Sequence, residues 1–477
     1  MPAPHPRSAA PTVVLGAGIS GLTAAHELAA AGHEVIVLDR RLGPGGRIHT
    51  ERRDGFLVEH GPNTMMSPAP GAEALLDTLG LGAQRIGRGD GVRHRYLVRD
   101  ARAHALPLNP AGFFGSSFFT MGARLRLLAE PFIGVRHGDE TVANFIRRRF
   151  GHEMLDYVFD PLIGGLYAGD PEQLSIEALF PHLKRLEREH GSVLRGILAA
   201  RRAGALGRLN PARRQLFSLR DGLGVLPARL MDTLSGRVRF GVRVEALEAL
   251  GGGGYRLRLR EGAQTSSLHA HCVVVALPAY AAARTLEPLS QPLGDALAGI
   301  AHPPLAVVAL GLRAADVAHP LDGLGVLTPR REQRATLGML FSSTLFAGRA
   351  PAGHVLLTAY VGGARRPELA LLPREALIAA VRDEAADLLG ARGQPVFSSV
   401  RYWRHGLPQP DLQHCSRLET LRQAESEYPG LFITGNYVAG VSTAACIDAA
   451  RAVAGRAHAF LVPSRANCRN PVTAHRA

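Results

Sequence analysis

The sequence predicts an α/β protein in which a parallel sheet flanked by helices is assembled from separate parts of the chain. Three observations predict it. Residues 12–40 run strand, glycine turn, alanine-rich helix, strand, acid. Residues 272–277 are a continuous apolar run ending at Pro278, which fits a strand buried on both faces. Residues 431–448 again run strand, glycine turn, helix. At 477 residues the chain has room for two or three domains. Its 46% hydrophobic and 20% charged residues suit a large packed core.

The first segment carries the most chemistry. Thr12-Val13-Val14-Leu15 leads into Gly16-Ala17-Gly18-Ile19-Ser20-Gly21, then a helix, then Glu34-Val35-Ile36-Val37-Leu38 and Asp39. A bare G-x-G-x-x-G says little in a chain with 54 glycines. With a strand before it and a helix after it, the turn reads as a Rossmann-like dinucleotide site, the alternative being an ordinary βαβ unit that binds nothing. Gly16 allows the tight turn, Gly18 lets a pyrophosphate approach the backbone, and Gly21 lets the helix pack on the strand. The helix N-terminus offers unpaired N–H groups to phosphate. Asp39 ends the second strand where a carboxylate meets ribose hydroxyls, and Arg40 follows it. Arg40 and Arg41 leave a 2′-phosphate as the minor alternative.

After a turn come Gly45, Gly46 and Arg47, a phosphate-side loop in which Arg47 supplies a fork of donors. Gly55-Phe56-Leu57-Val58-Glu59-His60-Gly61-Pro62-Asn63-Thr64 reads as a short strand and turn. Together these motifs, G-G-R-x-x-T and G-F-x-x-E-x-G-P, resemble the flavin-containing amine oxidase superfamily. The G-P-N-T form is similar to its porphyrinogen oxidase branch, protoporphyrinogen and coproporphyrinogen oxidases.

Residues 75–99 read as a helix and a hairpin. Residues 103–123 lack charged side chains and hold Pro107, Asn109, Pro110, Gly112 and Gly115, as in a lining loop or interfacial patch. Residues 139–150 have helical spacing and end in Arg147-Arg148-Arg149, a solvated helix end favoured by the helix dipole. The run from Tyr157 through Ala168-Gly169-Asp170-Pro171 to Phe180-Pro181 is similar, almost residue for residue, to the Y-A-G-D-P-x-x-L-S-x-x-x-x-F-P signature of the same branch. By residue type it is a tight corner between helices, with Asp170 a turn or N-cap residue. Residues 184–214 hold nine Lys or Arg against two Glu. That suits either a solvated charged face or a basic helix on an anionic membrane, and the resemblance favours the membrane.

Residues 217–226 resemble the family's S-F-x-x-G-L-x-x-L segment. Residues 238–247 and 255–260 alternate and read as a hairpin, with Val244 either a core valine or, by the resemblance, the place where backbone meets adenine. Residues 303–312, 323–329, 337–341 and 356–363 read as strands of a second sheet. Trp403 is the single tryptophan. Pro408-Gln409 follow, with Pro410 where the family has tyrosine. Leu431 to Asp448 resembles the family's closing flavin motif, with Ala450 at a family glycine.

The formal charge of +14 points to an anionic partner, but no nucleic-acid motif accompanies it and aromatics are only 6%. All the basic residues but Lys184 are arginine. The four cysteines form no C-x-x-C pair, so no metal site is expected and a reduced, cytoplasmic setting is. No stretch supplies the ~20 predominantly apolar residues of a spanning helix.

The resemblance covers residues 13–455. It implies a Rossmann-like FAD-binding domain (10–95, 215–295 and 401–462), a helical substrate and membrane-associated insertion (96–214), a discontinuous mixed-sheet substrate domain (296–400) and a tail (463–477). It implies FAD as cofactor, held on the ADP side by Gly16, Ala17, Gly18, Ile19, Ser20, Gly21, Asp39, Arg40, Gly46, Arg47 and Val244. Gly61, Pro62, Asn63, Thr64, Trp403, Val441, Ser442 and Thr443 border the flavin, and Asn63, by type a turn residue, becomes the catalytic candidate. The implied reaction is six-electron oxidation of protoporphyrinogen IX with oxygen as acceptor. The alternatives are oxidation of coproporphyrinogen III, a related flavin amine oxidase or desaturase, and a non-catalytic flavoprotein. The implied location is cytoplasmic, peripheral on the inner face of a membrane.

Overall fold

The computed structural model describes residues 10–107, 110–203 and 215–462. Its organising element is a five-stranded parallel sheet in the order Val238–Phe240, Val35–Asp39, Thr12–Leu15, Cys272–Val275, Leu431–Ile433. Alternate side chains enter two cores. Val14, Val37 and Val274 face the helices Ile19–Ala30 and Thr443–Leu461, whose alanines allow close approach. Leu15, Leu38, Val273 and Val275 face the helix Ala279–Leu286 and Tyr255. Burial on both faces explains why these strands are continuously apolar in sequence.

The expected hairpin at 238–260 forms, but its first strand starts later than expected. Val238–Phe240 leaves it and pairs in parallel with Val37–Asp39. Only Val242–Ala249 pairs with Tyr255–Glu261, in a separate antiparallel sheet completed by Gln264–Ala270. Gly241, at φ +76°, makes the break, a conformation cheap only for glycine.

The second large sheet has seven strands in the order Phe397–Trp403, Leu305–Arg313, His354–Gly362, Thr336–Phe341, Gly323–Leu327, His94–Arg99, Arg102–Ala105. All neighbours are antiparallel except Gly323–Leu327 with His94–Arg99. The strands His94–Arg99 and Phe397–Trp403 run through the boundaries drawn at 95/96 and 400/401, and the hairpin expected within 75–99 is His94–Arg99 with Arg102–Ala105, which lies later. One face packs Ala306, Val308 and Leu310 against the helix Arg374–Leu389. The other turns Leu305, Val307, Tyr360 and Trp403 toward Ala168. A two-stranded sheet, Thr50–Arg53 with Phe56–Glu59, lies between the large sheets, and Phe56 and Val58 pack on Ala309.

Residues 110–203 add a helical insertion with its own core, including Val142, Phe145, Ile146, Leu155 and Ile163. Its charged interior corrects two expectations. Arg149 is fully buried rather than a solvated helix end, and pairs with Glu130 at 3.1 Å and Glu187 at 2.5 Å. Lys184 is also fully buried, 3.0 Å from both Glu140 and Glu187, and so cannot be a surface cation of a membrane helix. The basic residues at 208–214 lie outside the described residues. Among the described residues no helix is long and apolar enough to cross a membrane.

The signature corner at 157–181 fastens this insertion to the seven-stranded sheet. Arg365, nearly buried, pairs with Asp160 at 3.0 Å and donates to the Thr328 carbonyl at 3.1 Å. Arg330 pairs with Asp170 at 2.6 Å, so Asp170 is an ion-pair residue besides capping the N–H of Glu172. Ala364 N–H donates to the Ala168 carbonyl at 2.7 Å.

Candidate active site

The glycine turn closes the C-terminal end of the parallel sheet. A Cβ on Gly21 would stand 1.8 Å from the Gly16 carbonyl, and one on Gly16 would meet the Ala276 carbonyl at 2.9 Å. These two glycines are demanded by packing. A Cβ on Gly18 would meet nothing within 4 Å, so its missing side chain leaves open space at the start of the helix Ile19–Ala30. That cradle, with helix N–H groups that no side chain caps, fits a phosphate of a bound dinucleotide.

The second glycine loop lies against the first. Gly45 N–H donates to the Ala17 carbonyl at 2.9 Å, and a Cβ on Gly46 would press on Gly18 Cα at 3.1 Å. Asp39 joins the two: its carboxylate accepts from the N–H of Ala17 at 2.7 Å and of Arg41 at 2.8 Å. Arg41, half-buried, donates to the Gly46 carbonyl, whereas Arg40, the arginine named from sequence, is exposed. Adjacent arginines give no sequence signal that tells inward from outward. Ile19 is half-buried and Ser20 buried, near Cys446 of the closing helix.

Arg47 leads from this cradle to the interface between the sheets. Its guanidinium lies 4.9 Å from the Trp403 ring centre and donates to the Gly406 carbonyl at 3.2 Å. Arg401 also lies over Trp403, at 5.1 Å. The Trp403 indole N–H donates to the His60 carbonyl at 2.7 Å, which fixes the start of the 61–64 turn. A Cβ on Gly61 would stand 1.9 Å from the Arg47 carbonyl, so these two loops touch backbone to backbone. Pro62, Asn63 and Thr64 are half-buried in the same place. Asn63 Nδ2 donates to the Tyr360 hydroxyl at 2.6 Å and, more weakly, to the Gly61 carbonyl at 3.3 Å.

Glu59, buried one residue before His60, braces this turn. It accepts from Leu223 N–H and from the Thr50 hydroxyl, both at 2.6 Å, and Thr50 in turn accepts from Gly224 N–H at 2.8 Å. The G-F-x-x-E and S-F-x-x-G-L motifs are thus two halves of one support. Val441 is half-buried, Ser442 caps the helix Thr443–Leu461 by accepting from Ala445 N–H at 3.1 Å, and Thr443 is buried. Val244 sits at the opposite edge, its side chain on the core and its carbonyl accepting from the Thr285 hydroxyl at 3.2 Å.

Sequence reasoning missed Tyr360, and named Arg41 only with Arg40 as a contact for a 2′-phosphate. Tyr360 lies in a plain apolar strand, and only its pairing opposite Val307 turns it toward Asn63. Burial pushes its phenol well above the ordinary range. Asn63, Tyr360 and Trp403 therefore provide hydrogen bonds and aromatic surface and no group that titrates near neutrality. The redox step falls to a cofactor.

Residues 19–458 match the model of flavin-containing amine oxidoreductases. The chain belongs to that family. It is an FAD-dependent oxidoreductase, and the open cradle at Gly18 beside Arg47 fits the diphosphate of FAD. The chain is 31% identical over 460 residues to protoporphyrinogen oxidase 2 of Arabidopsis thaliana, covering 90% of each. It is 28% identical over 468 residues to coproporphyrinogen III oxidase of Bacillus subtilis, covering 94% of this chain and 98% of that one. Among solved structures, a candidate protoporphyrinogen oxidase from Exiguobacterium sp. 255-15 has the same fold, with a TM-score of 0.81 at 22% identity over 95% of this chain and 99% of that one.

Proposed function

We propose that the protein oxidises protoporphyrinogen IX to protoporphyrin IX, passing six electrons in three two-electron steps to oxygen, which leaves as three molecules of hydrogen peroxide. The observation that carries this reading is the signature corner at 157–181, whose Ala168 packs on the same sheet face as Trp403 and Tyr360, beside Asn63. Similarity to protoporphyrinogen oxidases along nearly the whole chain supports it. In this reading Gly18, Gly46, Arg47 and the start of the helix Ile19–Ala30 hold the diphosphate of FAD, and Asp39 faces its ribose. The 61–64 turn, Trp403 and residues 441–443 border its ring. FAD supplies the hydride-accepting chemistry. Asn63 orients the substrate with its amide, and the apolar walls exclude water.

Coproporphyrinogen III is the second reading, favoured by the full-length similarity to the Bacillus enzyme. Amine oxidation ranks lower: the single lysine, which many amine oxidases place beside the flavin, is sealed in ion pairs with Glu140 and Glu187. The deciding experiment compares both porphyrinogens by the appearance of porphyrin fluorescence on yellow purified protein. Acceleration above the spontaneous rate supports the class, and the ratio of rates names the substrate. No acceleration with either, in protein that retains FAD, sinks the reading.

The same reading places the insertion against the inner, cytoplasmic face of an anionic membrane. Met121, Leu125 and Leu128 recur on one exposed side of the helix Met121–Leu128, and Phe132 is 83% exposed. The turn Glu130–Phe132 touches both that helix and Val193–Arg202, which adds exposed Leu198 and Arg195, Arg201 and Arg202. Apolar tips ringed by arginine suit a headgroup boundary.

A further inference from the structure

Beside the cofactor cradle, arginines gather around one exposed histidine. Tyr280 stands in the first turn of the helix Ala279–Leu286, which starts just after the strand Cys272–Val275. Its ring stacks on the exposed imidazole of His405, centres 4.1 Å apart and planes 22° apart. His302 meets Tyr280 edge-on at 5.3 Å. The His302 Nδ1 pairs with the Ile300 carbonyl at 2.9 Å, and its buried Nε2 has no partner. Gly406, next to His405, receives the Arg47 guanidinium at 3.2 Å.

The charges that bear on His405 are those of Arg47, Arg284 and Arg40. The rings of Tyr280 and His302 are grouped with it, Arg404 precedes it in the chain, and Asp39, the acid beside Arg40, is held by the N–H groups of Ala17 and Arg41. Arginines gathered beside an open phosphate cradle suit an anion that comes from outside. Arg47 connects the two places: it follows Gly46, which lies against Gly18, and its guanidinium reaches the Gly406 carbonyl beside His405.

We propose that His405, stacked on Tyr280 and grouped with Arg47, Arg284 and Arg40, is a proton-dependent contact for the diphosphate of FAD, so that cofactor retention varies with pH through this side chain. Burial first, then the three arginines, hold the free imidazole below its ordinary range, so it is neutral near pH 7 before FAD arrives. The diphosphate offsets those arginine charges and raises the imidazole's proton affinity. Binding then takes up a proton. Affinity is full at low pH and falls as pH rises through the bound-state value.

The test uses deflavinated full-length protein, titrated with FAD and with riboflavin, which has no phosphate, at about pH 6 and pH 8. Calorimetry in two buffers of different ionisation heat counts protons. We expect FAD to bind about tenfold more weakly at the higher pH, with a fraction of one proton taken up, and riboflavin to show no slope. His405→Phe keeps the stack on Tyr280 and should abolish both the slope and the uptake. His405→Arg should bind FAD tightly at both pH values. If His405→Phe retains the wild-type slope and proton uptake, or if riboflavin shows the same slope, the assignment is wrong.

Discussion

Asn63 and Tyr360 are joined across the boundary between the nucleotide-binding half and the seven-stranded sheet, amide nitrogen to phenol oxygen at 2.6 Å. Tyr360 is the stronger of two acceptors for that amide, the other being the Gly61 carbonyl at 3.3 Å. Tyr360→Phe leaves the ring in place and frees the amide to rotate. The expected result is a loss of about 1 kcal/mol in folding stability, the net worth of one hydrogen bond. The same change should lower kcat/KM several-fold with FAD content unchanged. Asn63→Ala should lower it further. Wild-type kinetics in Tyr360→Phe would remove the pair from the site.

The glycines of the first turn separate packing from binding. Gly21→Ala puts a methyl 1.8 Å from the Gly16 carbonyl and should cost about 1–3 kcal/mol of stability, because helix and strand must part. Gly18→Ala meets no protein atom within 4 Å. It should melt as wild type without FAD and bind FAD at least about tenfold more weakly, as the methyl occupies the phosphate's place. Thermal melts of the apo-proteins beside FAD titrations check both. Equal melting losses in the two variants would show that Gly18 is a packing glycine too.

Much of this site is legible in sequence because short-range backbone demands write themselves as residue types. Gly16, Gly21, Gly46 and Gly61 are glycines since a Cβ at each would strike a neighbour or the next loop. The parallel strands show as apolar runs because both faces are buried. What sequence hides is the direction of a side chain and its long-range partner. Arg40 and Arg41 are equivalent on paper, and only the second turns inward. Lys184 and Arg149 look like surface charge until Glu130, Glu140 and Glu187 arrive from distant positions to bury them. The break at Gly241 is hidden for the same reason: Val238–Phe240 alternates as a hairpin strand would, and its true partner lies two hundred residues upstream.

The clamp at the signature corner should behave asymmetrically. Arg365 has a side chain 5% exposed, paired with the buried Asp160, whose carboxyl is raised by burial against the pull of Arg365. Arg365→Leu strands that carboxyl and should cost about 3–5 kcal/mol. Arg330 has a side chain 47% exposed. Arg330→Ala should cost no more than about 1 kcal/mol, since its pair with Asp170 is reached by water and its backbone N–H still serves Asp160. Chemical denaturation of the two variants gives the comparison, and similar losses would refute the clamp.

Acid should unfold the helical insertion early. Burial raises the Glu187 carboxyl, but hydrogen bonds and charges from Arg148, Arg149 and Lys184 outweigh it and bring it from 4.5 to about 2. A depressed carboxyl contributes stability that is complete above its unfolded value and lost as pH falls through its folded one. Proteolysis within 110–203 should therefore accelerate between about pH 4.5 and pH 2. Lys184→Met, which leaves Glu140 and Glu187 without their ammonium partner, should cost about 3–5 kcal/mol at neutral pH. It should also shift the acid transition upward. An unchanged acid midpoint would show that this cluster does not govern the transition.

The apolar face of the insertion makes a claim independent of catalysis. Leu125 and Phe132 are exposed, on an insertion whose core is separate from the cluster that holds Trp403. Burying each in a headgroup boundary is worth about 1.5–3 kcal/mol. Replacing both by glutamate removes that gain and adds repulsion from anionic lipid. Flotation with vesicles containing phosphatidylglycerol should fall by more than tenfold. Oxidation of detergent-dispersed porphyrinogen should be unchanged, because neither side chain reaches the Asn63–Tyr360 pair. Flotation equal to wild type would rule out this face as the docking surface. A parallel loss of detergent activity would instead make it part of the substrate path.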